Sequence, residues 1–422
     1  MATPSPVLNR RRLLAAAAAC GLAPSLSRAQ NAPLFPASTA VLERGIADRR
    51  YPGAVGAFGL GAAEPVFVSR GTLAFDSTDL VGPDTLWRAF SMTKPVVGMA
   101  VMILIDEGKL TLDQPVADLI PVFAKMRVLT DPETMASRPA LRPITVRHLL
   151  THTGGIGSIG ALPNAMPPKM VDAFRAANLS ARPTPPDPAG PDLAQFAERL
   201  ATLPLLTEPG TRWNYSLSID LLGRVIEVAS GEAFDTFLDR RLFKPLGMSS
   251  TGFTVPQSQA ARLAANYQRK DDKTTLIDPG ATSTYLKPPA YPSGGGGLVS
   301  SARDYDRFLT MIANRGTFAG RQIMSARAVD LGTSNLLPKG VVFQDMMSGG
   351  GEIGFGAAGS VVLAGPNAGQ YGWGGAAGTI AYANPRTKIR LAGYINVIGD
   401  YTLFTDLPPA ALKDFGVAAA KL

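Results

Sequence analysis

Residues 91–106 read SMTKPVVGMAVMILID, a polar start followed by an apolar run. Val96, Val97, Met99, Val101, Met102, Ile103 and Leu104 fall almost all round a helix, the pattern of a helix with no solvent face. Pro95 fits such a helix only in its first turn. A fully buried helix needs a layer on each side, which predicts a sheet against one flank and a second body of chain against the other. Ser91 and Lys94 then stand one turn apart at its N-terminus, on one face.

The flanking segments supply those layers. STAVLERGIADR (38–49) puts Val41, Leu42 and Ile46 on one helical face behind a Ser38 cap, and GAVGAFGLG with PVFVSRGTLAF reads as two strands joined by a short turn. Near the other end GSVVLAG, GTIAYANP and TKIRLAGYIN read as three more. Strands at both ends with helices between predict an α/β (α+β) fold, one sheet closed by the two ends of the chain, with a mostly helical insertion. The expected boundaries are 1–29 for an export signal, 30–111 with 289–422 for the discontinuous α/β domain, and 112–288 for the helical domain. That middle holds TVRHLLTHT, LAQFAERLATL and SIDLLGRVIEVASGEAFDTFLDRRLF as helices. The proline-dense stretch Pro163–Pro191 reads as irregular chain, either a loop over a binding cleft or a plain insertion. SGGGGLVSS lets backbone approach closely at Gly294–Gly297, ahead of a helix capped by Ser301 with Asp304 three residues on.

The chain has 422 residues, 46% hydrophobic and 18% charged, too apolar for disorder and longer than one ordinary core. Its first 29 residues combine an arginine cluster, a short apolar run and a small-x-small pattern ending at Ala29, the grammar of an export signal. Arg11 and Arg12 followed by Leu13 and Leu14 resemble a twin-arginine signal, giving a periplasmic expectation. The apolar run, about 11 residues against the roughly 20 needed to span a bilayer, speaks against a membrane anchor. Cys20, the only cysteine, lies in this segment, and Ala17 stands where a lipoprotein site usually has leucine; the mature chain is thus expected to lack disulfides and thiolate chemistry. The segment carries Arg10, Arg11, Arg12 and Arg28 and no acid, so subtracting those four from the net +8 leaves +4. With no basic run, nucleic acid is not an expected partner.

A serine hydroxyl needs a base to become a nucleophile. The only histidines, His148 and His152, stand four residues apart on one expected helix face, but Leu149 follows the first where a zinc protease has glutamate. No G-x-S-x-G elbow occurs, and GIGSIG (155–160) follows a helix rather than a strand, so it reads as a turn. Lysine remains. An ordinary amine, pKa about 10.4, serves as base near neutrality only where the ammonium is disfavoured by about 4 kcal/mol, and burial with a helix N-terminus acts in that direction. Spacing alone leaves two readings of Ser91 and Lys94 open: nucleophile and base, or a polar start on a buried helix.

SMTK, followed far downstream by RWNYSLSIDLLG and then YGWGGAAGT, resembles the class C β-lactamase superfamily of serine hydrolases, closest to the family VIII carboxylesterases. LLTHTGGI, EPGTRWNYS and SGGGGLVSSARDYDRF are similar to further segments of it. The resemblance implies a β-lactamase/transpeptidase-like fold, an antiparallel sheet flanked by helices. It implies Ser91 as nucleophile, Lys94 as its base and Tyr215 as second acid/base. The oxyanion hole would be the N–H groups of Ser91 and Ala376, and Trp373, Gly374, Gly375 and Leu217 would contact substrate. Leu217 replaces the asparagine of the lactamase Tyr-x-Asn motif, and Trp373 replaces the Lys or His of the third motif. Both changes argue against an anionic substrate. The expectation is a carboxylesterase acting on short-chain, small-molecule esters through an acyl-enzyme, without metal or cofactor. The alternatives are a β-lactamase or D-amino-acid peptidase or amidase, an acyltransferase on the same acyl-enzyme, and a non-catalytic cell-wall or ligand-binding protein.

Overall fold

The computed structural model describes residues 34–159, 166–179, 190–343 and 352–417. The export signal expected at 1–29 and parts of the proline-dense stretch lie outside the described residues. Helix α1 is Pro36–Ala47 and α2 is Thr93–Asp106. Strands β1 (Gly53–Leu60) and β2 (Val66–Gly71) come from the N-terminal part. Strands β3 (Ile353–Phe355), β4 (Ser360–Val362), β5 (Tyr371–Gly375), β6 (Thr379–Ala383) and β7 (Ile389–Tyr394) come from the C-terminal part. Together they form one antiparallel sheet in the order β3-β4-β5-β6-β7-β1-β2. Its closing pair is β1 with β7, in the register Val55 to Tyr394 and Ala57 to Ala392.

The strand period of two divides the apolar residues between two cores. Ala54, Phe58, Ile380 and Leu391 face α1 and the C-terminal helix Thr402–Asp414, in a cluster with Val41, Leu42, Leu403 and Leu407. Val55, Ala57, Ala381 and Ala392 face the other way, into the larger core that contains α2, the helical middle and the helix Ala302–Ala313. Helix α2 is buried from Thr93 to Leu104, as its all-round apolar pattern demands. Gly98 in its middle permits one close approach: a Cβ there would lie 2.0 Å from the Ala357 carbonyl oxygen.

Several local expectations change. Ser38 does not cap α1, which starts at Pro36; its N–H and hydroxyl instead bond Asp414 at 2.8 and 2.7 Å, and Ala37 N–H donates to the same carboxylate at 3.0 Å. A carboxylate from the far end of the chain therefore satisfies the first-turn donors. The long helix read from residue 218 ends at Ser230, because Gly231 adopts a left-handed cap at φ 74°; Phe234–Leu238 begins a new one. Pro168–Ala176, expected as irregular chain, is a helix with Pro168 in its first turn, where a missing N–H is harmless. The Ser301 cap stands as expected, accepting from Asp304 N–H at 3.1 Å. A buried bidentate pair, Arg390 with Asp306 at 3.0 Å for both bonds, fastens β7 to that helix.

Candidate active site

Ser91 lies in a 3₁₀ turn, Phe90–Met92, that feeds α2, so the α-helix begins two residues later than the polar start suggests. Phe90 is left-handed at φ 47°, an unfavourable conformation for a bulky residue that surrounding bonds must hold. Ala89 N–H donates to Leu298 O at 2.9 Å, and Thr379 Oγ1 donates to Ala89 O at 3.1 Å. Thr93 Oγ1 donates to Phe90 O at 2.7 Å, and Tyr305 OH donates to Met92 O at 2.6 Å. Strand β5 presses against the same turn: a Cβ on Gly375 would lie 2.4 Å from Ala89 O.

Ser91 and Tyr215 are half-buried and Lys94 is buried. Lys94 Nζ is 3.1 Å from Ser91 Oγ and donates to the Gly295 carbonyl at 2.5 Å. Tyr215 OH donates to Ser91 Oγ at 2.7 Å, and Lys94 Nζ sits 4.5 Å from the centre of the Tyr215 ring. Two side chains from distant parts of the chain, Lys94 and Tyr215, thus converge on the Ser91 hydroxyl. Tyr215 precedes the helix Ser218–Ser230, where Asn214 N–H on His152 O (2.9 Å) and Leu217 N–H on Gly157 O (3.3 Å) hold its loop.

Beneath Tyr215 lies His152, its ring 4.8 Å from the tyrosine ring. It does not share a helix face with His148: the helix Val146–Leu150 stops short of it, and His152 is left-handed at φ 54°. His152 Nδ1 meets Ser216 Oγ at 3.0 Å, and burial, with the Lys94 charge adding, pushes its pKa well below the ordinary imidazole range. His148 turns back to accept from Thr145 N–H at 3.2 Å, closing a capping box, and burial lowers its pKa to about 4. Among the described residues no group of acids, histidines or cysteines could hold a metal ion.

Trp373, on β5, is half-buried and stacks on Tyr215 at 6.1 Å; Phe355 and Phe343 pack against it at 5.3 and 6.0 Å. Leu217 is buried in the main core. Gly374 carries no side chain because the Phe404 ring fills that space, 2.0 Å from where a Cβ would stand. Ala376 follows β5 and is exposed. The sequence reading overlooked Asp220, buried in the first turn of Ser218–Ser230, and the Gly295 carbonyl it helps to place. An acid set among Ile219, Leu221 and Leu222 was the available signal.

A family model described as Beta-lactamase matches residues 39–412. Protein Rv1367c of Mycobacterium tuberculosis is 35% identical over 321 residues, covering 73% of this chain and 76% of the relative. Esterase EstB of Burkholderia gladioli is 30% identical over 319 residues, covering 71% and 75%. The solved structure of EstCE1, titled a hydrolase with promiscuous acyltransferase activity, superposes with a TM-score of 0.73 at 24% identity over 90% of this chain and 97% of its own. No helix among the described residues is long and apolar enough to cross a membrane. The chain belongs to the Beta-lactamase family and is a serine hydrolase of that fold.

Proposed function

We propose that the chain is a carboxylesterase that cleaves short-chain esters of small alcohols through an acyl-enzyme on Ser91. The observation that carries this is the Ser91 hydroxyl held between Lys94 Nζ at 3.1 Å and Tyr215 OH at 2.7 Å. Ser91 Oγ attacks the ester carbonyl as Lys94 takes its proton. The N–H groups of Ser91 and Ala376 receive the negative oxygen. Tyr215 delivers a proton to the departing alkoxide and recovers one from the Lys94 ammonium; water then attacks the acyl group as Lys94 takes its proton, and a proton returned through Tyr215 to Ser91 Oγ releases the acid. His152, kept neutral, supports the tyrosine ring from below without adding charge.

The half-buried Trp373 ring, backed by the buried Phe355 and Phe343, favours uncharged substrates, since it offers no cation to a β-lactam or peptide carboxylate. The relative named an esterase supports the same reading. The test compares p-nitrophenyl butyrate with a chromogenic cephalosporin for the wild type and Ser91→Ala. Ester turnover that vanishes in Ser91→Ala, with little lactam opening, is expected. Dominant lactam opening would overturn the substrate class, and ester turnover surviving in Ser91→Ala would overturn the mechanism. The apolar surroundings of the acyl-enzyme also favour a second reaction, transfer to an alcohol acceptor, measured as butyl butyrate formed when 1-butanol is added.

A further inference from the structure

Of the buried acids the mechanism leaves unused, Asp220 is the one that faces the Lys94 charge and the Gly295 backbone. Asp220 turns toward the glycine run: its Oδ1 accepts from the Ser293 hydroxyl at 2.6 Å and from Gly295 N–H at 3.0 Å. The approach requires glycine on the facing strand of chain. A Cβ on Gly295 would lie 2.4 Å from Asp220 Oδ2, and one on Gly294 would lie 2.5 Å from the Ile219 carbonyl oxygen. The carbonyl of that same Gly295 accepts from Lys94 Nζ. One residue is thus gripped by its N–H from the Asp220 side and grips the lysine with its C=O.

A neutral amine has one lone pair and two N–H bonds, so committing one N–H to a carbonyl leaves two positions for the lone pair, and the 3.1 Å contact places Ser91 Oγ at one of them. With one N–H on Gly295 O, the Lys94 amine is oriented on Ser91 Oγ. The groups that face Asp220 electrostatically are the Lys94 ammonium and the Tyr291 phenol. Burial pushes the Asp220 carboxyl up, while Ser293, the Lys94 charge and Gly295 N–H act to keep it ionised.

We propose that Asp220 is a positioning residue for the hydrolytic reaction, holding Gly295 so that its carbonyl aligns the Lys94 amine on the Ser91 hydroxyl. The inference rests on the reading of Ser91 and Lys94 as nucleophile and base, but not on the identity of the ester. Its test therefore uses a fluorophosphonate, which reports the activation of Ser91 directly. Ser91 Oγ bonds to phosphorus, the proton passes to Lys94, and fluoride leaves.

The labelling rate is measured against pH for the wild type, Asp220→Asn and Ser293→Ala, with circular dichroism to confirm folding. In Asp220→Asn the plateau rate should fall about 10- to 100-fold, the loss typical of a misplaced catalytic group. The acid limb of the profile should also move, because the group that holds Gly295 N–H and faces the Lys94 charge has changed. Ser293→Ala should lower the rate several-fold with a smaller movement of the limb in the same sense. A wild-type rate in Asp220→Asn, or a lower rate on an unmoved profile, would overturn the proposal. If Asp220→Asn does not fold, an unchanged rate and profile in Ser293→Ala overturns it instead. A wild type that labels at Ser91 yet leaves p-nitrophenyl butyrate intact would sink the esterase reading while leaving Asp220 tested. A wild type that does not label would sink both.

Discussion

Replacing Tyr215 by phenylalanine removes one oxygen and leaves the ring. That ring is held by His152 at 4.8 Å and Trp373 at 6.1 Å, so its position should survive. The lost hydrogen bond to Ser91 costs the fold about 1 kcal/mol or less, the group being half-exposed. The chemical loss should be larger. A positioned general acid contributes about 10²–10⁴ in rate, or about 3–5 kcal/mol at 1.36 kcal/mol per decade. That contribution matters only when the leaving group needs a proton. Ethyl butyrate expels a basic alkoxide and p-nitrophenyl butyrate a stable anion, so kcat/KM, which reports acylation, should fall at least 100-fold for the first and about 10-fold or less for the second. The two substrates are assayed side by side with equal amounts of folded enzyme. Equal losses on both would refute the assignment, since Tyr215 would then act on Ser91 rather than on the departing alcohol.

Gly98→Ala should destabilise the protein by about 2 kcal/mol by urea unfolding, although alanine is the better helix former by about 1 kcal/mol, because the new Cβ meets the Ala357 carbonyl at 2.0 Å. The pH dependence of stability has a defined sign at His148. Its folded pKa of about 4 lies below the ordinary imidazole value, so the unfolded chain takes up a proton first, and stability is lost as pH falls from about 6.5 toward 4. His148→Gln keeps a cap acceptor for Thr145 N–H and removes the titration. Guanidinium unfolding at pH 7 and pH 4.5 should show a drop smaller by about 2–3 kcal/mol in that variant, and an equal drop would refute the assignment.

Much of this fold was legible because its signals are local. The all-round apolar pattern of Thr93–Asp106 identified the buried helix, and strand alternation found β1, β2, β4, β6 and β7. The failures come from partners supplied at long range. Ser38 looked like a cap because serine is a good one, but the actual acceptor, Asp414, lies 376 residues away. Tyr371–Gly375 has too many glycines for strand propensity to find; Phe404 occupies the space at Gly374, the nucleophile turn that at Gly375, and the Ala381 carbonyl that at Gly372. Pro168–Ala176 escaped detection because the prolines around it read as helix breakers, whereas Pro168 falls in the first turn, where its missing N–H is harmless. In the site, the spacing of Ser91 and Lys94 showed that they share one helix face but left their roles open, and the resemblance supplied those roles together with that of Tyr215. Asp220, Ser293 and Gly295 gain meaning only when two segments about 75 residues apart are brought face to face.

The pairing of β1 with β7 also sets a timetable for the growing chain. Val55 leaves the ribosome 339 residues before its partner Tyr394. Throughout that interval the β1–β2 hairpin has an open edge and two apolar faces, the combination most prone to pair with the wrong neighbour. Its covering helix α1 is finished only when Asp414 arrives to occupy its first turn. A product terminated before β7 would therefore lack the closing strand of the β1–β7 pair, one terminated between β7 and Asp414 would lack only the acceptor for the first turn of α1, and in the former the early segments would remain available to chaperones and proteases.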